Sequence, residues 1–371
     1  MNKRFKLGFL MVILISLNVF IIDIQSIDNE IEINVFSQND FVLDFNSTNS
    51  YKHIVKQLDF GFRVPGTGAH VNCSDWISNE LLSTVSSVEI HNFEIQKNGQ
   101  PSYSCQNILG KLNTDEKDIV ILAAHWDSRN VAEKDVFNRT LPIPGANDGG
   151  SGVGVLLELA RILSLYETKL SSQFWFLFID AEDQGLSRQL YGLQDWDWSE
   201  GSKEFASNID DFYDSASEIF ECFILLDMVG GTNLEFVREA RSNEDLHNSI
   251  FNEGRQLGYN QSFPSNPVVK SITDDHLAFY NLGIPVIDLV IDFNSGDWLY
   301  HHTHSDDLSN IDPVSLNITG RTVESFVKRY YTIGSDESWK IEEEQTPLKI
   351  GIIIFTICLL GCGSILIKRI E

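Results

Sequence analysis

Ile119-Val120-Ile121-Leu122-Ala123-Ala124, closed by His125-Trp126-Asp127, is the stretch on which the fold turns. Six apolar residues in a row, with no polar alternation, are what a strand buried on both faces requires. After a loop ending at Gly145 the period changes. Val153, Leu156, Leu157, Ala160 and Leu163 share one face and predict a helix over 152–166. Apolar runs at 174–179, 223–226 and 284–290 predict three further buried strands, with helices near 73–84, 244–257 and 313–331. Before them, Phe60-Gly-Phe-Arg-Val-Pro-Gly-Thr-Gly68 reads as a turn-rich entry. Alternating strands and helices imply an α/β protein with a mixed, largely parallel sheet sandwiched by helices.

Such sheets bind ligands at the carboxyl ends of their strands, and the polar residues gather there. The first strand ends in His125-Trp-Asp127, and the next helix opens with Gly145-Ala-Asn-Asp148-Gly-Gly-Ser-Gly152. The second strand ends in Asp180-Ala-Glu182-Asp183 and the third in Asp227. Near the fourth lie Asp274-Asp275-His276 and His301-His302-Thr-His304-Ser-Asp306. Carboxylates and imidazoles abutting buried strands are costly to desolvate unless paired or metal-bound. A lone strand-end Asp is usually a cap, but repeated clusters on one edge point to a metal site. Imidazole beside carboxylate suits zinc better than manganese or calcium, and a catalytic zinc keeps three protein ligands and one open position.

With 53 acidic against 27 basic residues the net charge is −26, which excludes a nucleic-acid partner and disfavours adhesion of the folded body to anionic lipid. Residues 7–22 form an apolar run behind Lys3, Arg4 and Lys6, the layout of a signal peptide or signal anchor. Residues 350–367 form a second run, closed by Lys368 and Arg369, long enough for a membrane helix. The division expected is a signal segment (1–26), a linker (27–50), a folded body (51–333), an acidic linker (334–348), a transmembrane helix (349–368) and a cytoplasmic tail (369–371). Basic residues flank both apolar runs, so the body is expected on the extracellular or lumenal side. Five N-x-S/T sequons, beginning at Asn46, Asn72, Asn138, Asn260 and Asn317, are compatible with that side. Cys73 and Cys105 are candidates for a bridge, and Cys222 reads as a buried thiol. His53, His70, His91 and His247 lack a carboxylate constellation and read as surface or core residues. Glu158 reads as an ordinary helix-face carboxylate.

From about Phe60 to Tyr331 the chain resembles the zinc-aminopeptidase and glutaminyl-cyclase family. The resemblance rests on His125-x-Asp127, Pro144-Gly-Ala-Asn-Asp148-Gly-Gly-Ser-Gly-Val, Asp180-Ala-Glu182-Asp183 and His302-Thr-x-x-Asp306. It implies a zinc-exopeptidase-like fold in which Asp148, Asp183 and His302 are metal ligands and Glu182 is the general acid/base. In di-zinc aminopeptidases His125 and Asp227 would hold a second metal, so the cofactor expected is one zinc ion, or two. Aminopeptidases hydrolyse the first peptide bond, whereas glutaminyl cyclases convert N-terminal Gln to pyroglutamate. Leu225-Leu-Asp227-Met-Val-Gly and Thr273-Asp274-Asp275-His276 resemble the cyclase branch, in which Asp227 and Asp274 form a hydrogen-bonded network with Glu182. Two departures stand against it: His301 occupies a position where animal cyclases carry Trp, and Asp183 is shorter than their Glu. His304 is expected behind the ligands or beside substrate, with Asp127 and Asp306 orienting the His125 and His302 loops. Trp196-Asp-Trp198 is a candidate pocket wall. The function expected is a zinc-dependent cyclotransferase acting on peptide N-termini. The alternatives are a di-zinc aminopeptidase and an inactive member used for protein interaction.

Overall fold

The computed structural model describes residues 42–97, 99–293 and 298–340, and a short antiparallel pair, Ser26–Ile27 with Glu30–Ile31. That pair belongs to a unit of its own, Met1–Val42, and all the site residues lie in the second unit, Leu43–Glu371. The apolar runs at 7–22 and 350–367, read above as a signal segment and a membrane helix, lie outside the described residues. Among the described residues no helix is long and apolar enough to cross a membrane.

Six strands form the central sheet: β1 (Ser87–Ile95), β2 (Tyr103–Leu112), β3 (Asp118–His125), β4 (Gln173–Ile179), β5 (Ile219–Leu226) and β6 (Val286–Leu289). Their order is β6-β5-β3-β4-β2-β1. The four runs read as buried strands pair in parallel, whereas β2 runs antiparallel to both β4 and β1. This is the mixed, largely parallel sheet expected, although the sequence does not mark where its antiparallel strands fall: β1 is largely half-exposed or exposed and carries no continuous apolar run.

Among the described residues seven α-helices accompany the sheet: α1 (Ser47–Asp59), α2 (Gly68–Leu82), α3 (Gly150–Leu165), α4 (Glu200–Ser207), α5 (Glu244–Gln256), α6 (His276–Asn281) and α7 (Pro313–Tyr330). Strand residues alternate between two cores, as the two-residue period demands. Val120, Leu122, Ala124, Phe174, Phe176 and Phe178 enter the larger core beneath α1, α2, α3, α5 and α7. Ile119, Ile121, Ala123, Trp175, Leu177 and Ile179 enter a smaller one with α4 and α6. Both faces are covered, which is why these runs show no polar alternation.

Helix α1 begins inside the stretch read as a linker. Its apolar signal is weak, and two buried carboxylates from distant helices dock its start. Glu324 of α7 accepts the N–H groups of Asp44 and Phe45 at 2.8 and 2.9 Å, and Glu158 of α3 accepts that of Asn46 at 3.2 Å. Glu158 is therefore a docking group rather than a plain helix-face carboxylate. The cysteine expectation also needs correction. Cys73 and Cys105 are free buried thiols that belong to different apolar clusters, so no bridge joins them. Burial raises both thiols, Cys73 to about 12. Cys222 is a buried thiol, as read.

Candidate metal centre and active site

Parallel pairing of β3, β4 and β5 brings their carboxyl ends to one edge. His125 pairs with Ile179, so Asp180, Glu182 and Asp183 follow beside it, and Asp227 follows β5 on the other flank. Helix α3 delivers Asp148 to the same edge at very close range. A Cβ on Gly152 would lie 2.1 Å from the carbonyl oxygen of Leu226. One on Gly149, where φ is +71°, would lie 2.6 Å from the His125 ring. Only glycine permits both the left-handed backbone and this approach.

Asp148 stands at the centre. Its Oδ1 lies 3.1 Å from His125 Nε2, which is also 3.2 Å from Asp227 Oδ1. Its Oδ2 lies 3.6 Å from His302 Nε2, which is 3.0 Å from Asp183 Oδ1. One carboxylate thus faces two half-sites, His125–Asp227 and His302–Asp183. All five predicted ligands come together.

Each imidazole presents Nε2 inward and has a carboxylate at Nδ1. Asp127 Oδ1 is 3.4 Å from His125 Nδ1, and Glu133 Oε1 is 2.8 Å from His302 Nδ1. A metal-ligating histidine characteristically has such a partner at its other nitrogen. Arg129 holds Glu133 at 2.7 Å and donates to the Asp183 carbonyl at 2.7 Å. Asp127 accepts the N–H groups of Glu182 and Asp183, and Asp306 those of Asn147 and Asp148. Both aspartates therefore act partly through the backbone of the neighbouring acids; Asp306 orients the Asp148 turn more than its own loop.

The donor set fits zinc. Mixed nitrogen and oxygen donors 3.0 to 3.6 Å apart match the edges of a tetrahedron with bonds of about 2.0–2.1 Å. Among the described residues, buried Asp148 Oδ2 and Asp183 Oδ2 have no hydrogen-bond partner, which leaves these carboxylates free to engage an ion. His125–Asp148–Asp227 also groups donors closely enough for an ion. The electrostatics agree. Burial pushes Asp183 up to about 6, with help from the Asp148 charge, while His302 and Arg129 pull it down. Burial raises Glu133 too, yet His302 and Arg129 bring it down to about 2. It is a fixed anion behind His302. Glu133→Gln is therefore expected to weaken zinc binding about 10- to 100-fold, measured by competition with a chelator of known affinity.

Glu182 and Asp274 line a cavity of about 370 Å³ together with Asp148, Asp183, Asp227 and His302. Burial raises Glu182 well above the usual carboxylate range, and Asp275, Asp183 and Asp127 add to the shift. Its Oε1 accepts the Ser199 hydroxyl at 3.0 Å. Burial likewise raises Asp274 strongly, reinforced by Asp288, Asp227 and Glu182. His301 enters the site as well, 3.8 Å from Asp148 and stacked on His302 at 3.6 Å between ring centres. Of the tryptophan pair, Trp198 lines the cavity and lies parallel to the His302 ring, whereas Trp196 is buried against Tyr103. His304 turns away to Asp135 at 2.5 Å and does not line the cavity.

Glu133, Arg129, Ser199 and His301 had not been picked out as site residues. Only His301 had a sequence signal, its adjacency to His302. His70 is a buried core residue, as read, but it does have a carboxylate partner: its Nε2 bonds both oxygens of buried Asp180, at 2.8 and 2.9 Å. The pair sits under the β4 turn, and Asp180 also accepts the N–H groups of Gln106 and Ala181. His70→Ala should cost about 1–3 kcal/mol in denaturant unfolding through the partner it strands, without loss of zinc.

A profile of peptidase family M28 matches residues 107–327, well over half of the chain. The chain belongs to peptidase family M28. Among solved M28-like structures, the glutaminyl cyclase of Bacteroides thetaiotaomicron bound to N-acetylhistamine is 32% identical, with a TM-score of 0.71. The match covers 78% of this chain and all of that one. A Zn-dependent exopeptidase from Parabacteroides distasonis matches to the same extent at 31% identity and a TM-score of 0.71. Among curated relatives, the glutaminyl-peptide cyclotransferase of Gloydius blomhoffii is 25% identical over 62% of this chain and 66% of its own length. Aminopeptidase YwaD of Bacillus subtilis is 26% identical over 66% of this chain and 48% of its own length. The M28 chain is therefore similar both to glutaminyl cyclases and to an aminopeptidase and a Zn-dependent exopeptidase.

Proposed function

We propose that this M28 protein is a zinc-dependent glutaminyl-peptide cyclotransferase, converting N-terminal Gln of peptides to pyroglutamate with release of ammonia. The observation that carries the reading is Asp274, a third buried carboxyl in the cavity that holds Glu182 and Asp227. Burial, reinforced by Asp288, Asp227 and Glu182, raises its proton affinity, which suits it to share a proton with the acids beside it. Asp227 lines the same cavity as Asp274 and Glu182, and in this reading it serves substrate and proton handling in place of a second metal.

Asp148, Asp183 and His302 would hold the zinc, which supplies positive charge that polarises the γ-carbonyl of the substrate. Asp227 and Asp274 bind the substrate's α-amine and aim it at that carbonyl carbon. Intramolecular attack needs little beyond this orientation. Glu182, a base buried beside the site, takes the ammonium proton and returns it to the departing ammonia. Trp198 and His301 exclude water from the wall. His301 stays neutral, since burial and the neighbouring His302 hold it well below its usual range.

One observation favours a second reading, aminopeptidase hydrolysis: the His125–Asp148–Asp227 group is intact and could hold a second zinc. An interaction protein without catalysis fits less well, because every ligand position keeps a usable side chain. The location proposed is extracellular or lumenal; Asn46, Asn72, Asn138 and Asn260 of the sequons are exposed, as that location would allow.

The test is incubation with a Gln-initiated peptide, followed by mass spectrometry. Loss of about 17 Da, the mass of ammonia, is the result expected for intramolecular attack. Loss of the whole first residue would overturn the proposal in favour of hydrolysis.

A further inference from the structure

Beside Asp274 lies a group of buried ionisable side chains to which the chemistry above assigns no role. His276, fully buried at the start of α6, sits between carboxylates from two other elements. Its Nε2 is 3.2 Å from Glu239 Oε2, and its Nδ1 is 3.5 Å from Asp288 Oδ2 on β6. Glu239, also fully buried, gathers backbone around it. It accepts the N–H groups of Arg241 at 2.6 Å, Ser242 at 3.1 Å and Ile272 at 3.3 Å. The Asp288 N–H donates to Ser242 Oγ at 3.3 Å, tying β6 to the same turn. Glu239, His276 and Asp288 do not themselves line the cavity, but the loop they hold does, through Ser271, Ile272, Thr273 and Asp274.

Such a cluster is a poor device for stability. Burying ionisable groups is costly, and apolar residues of like volume commonly serve as well or better. Glu239 supplies directional restraint through the three backbone N–H groups it accepts, and His276 meets Glu239 and Asp288 as close charge pairs at the root of one functional loop. Catalytic groups need placement to within about half an ångström, which a loop gains only from a supporting shell.

We infer that His276, clamped between Glu239 and Asp288, is a positioning residue that sets the 271–275 loop so that Asp274 faces Glu182 and Asp227. The inference rests on the reading that Asp274 belongs to the reaction machinery. It assigns Glu239 and Asp288 the same task.

The test uses the full zinc-loaded chain with Glu239→Gln, Asp288→Asn and His276→Asn. The first two are isosteric, so they carry the test if the third fails to fold. Each is expected to lower kcat about 10- to 100-fold, the scale of an ångström misplacement, with KM within about twofold and zinc content unchanged. Asp288→Asn added to Asp274→Asn should cost nothing further, because both losses pass through one group. Folded, zinc-loaded variants with wild-type kcat would overturn the inference, as would losses that multiply in the double variant. Hydrogen exchange gives a readout independent of turnover. Amides of 271–275 should exchange about tenfold faster in the variants, while those around His125 and Asp148 do not change. Unchanged exchange overturns the inference. A wild-type chain inert toward every peptide, with the exchange change present, would instead fault the functional reading alone.

Discussion

Glu182→Gln is expected to lower kcat about 10²- to 10⁴-fold, the range for losing a general acid/base, while zinc content and fold persist. The amide keeps the volume and can still accept from Ser199, which is 3.0 Å from Glu182 Oε1. It cannot take up a proton. Because Glu182 belongs to neither half-site, the loss should fall on kcat with KM little changed, the signature of an interaction made in the transition state. The same holds for cyclization and for hydrolysis, so this variant tests the residue and not the branch. Steady-state kinetics with metal analysis on one preparation decide it. Near-normal kcat would remove Glu182 from the role.

Asp148→Asn should have the largest effect on the metal. Among the described residues, Asp148 is the candidate ligand whose two oxygens face both histidines, at 3.1 Å from His125 and 3.6 Å from His302. The amide offers a single oxygen and turns an N–H toward the other half-site. Loss of an outer partner already costs about 10- to 100-fold in affinity, so loss of this ligand should exceed that. Wild-type protein should gain about 2.7 kcal/mol of stability at zinc a hundredfold above its Kd. The variant should show no such gain. Thermal melts with and without chelator compare the two, and an equal zinc-dependent shift in both would displace Asp148 from the centre.

How far the sequence reached follows from the kind of signal each feature leaves. The strands β3, β4, β5 and β6 were legible because burial on both faces leaves a continuous apolar run. The candidate ligands were legible because a parallel sheet delivers the residues following each run to one edge. Strands β1 and β2 and helix α1 left no such run. The supporting residues were hidden for a different reason. Glu133 meets His302 across 169 residues, and Asp306 meets the Asn147 backbone across 159. No local periodicity encodes partners so distant.

Read alone, the chain determined its α/β class, the edge of the sheet that carries chemistry, and the residue types that gather there, since these depend on local period and strand direction. Only the tertiary structure decided which atom faces which. It placed Asp148 between two half-sites, set Glu133 and Asp127 behind the two imidazoles, and joined His70 to Asp180. It also put Ala181, Met228 and His302 into left-handed backbone, with φ of +56°, +51° and +57°, at turns that aim the acids and the histidine. Such conformations are unfavourable for side-chain-bearing residues and persist only where surrounding contacts over-determine them. Those contacts are long-range packing and hydrogen bonds, and they exist only once the chain has folded.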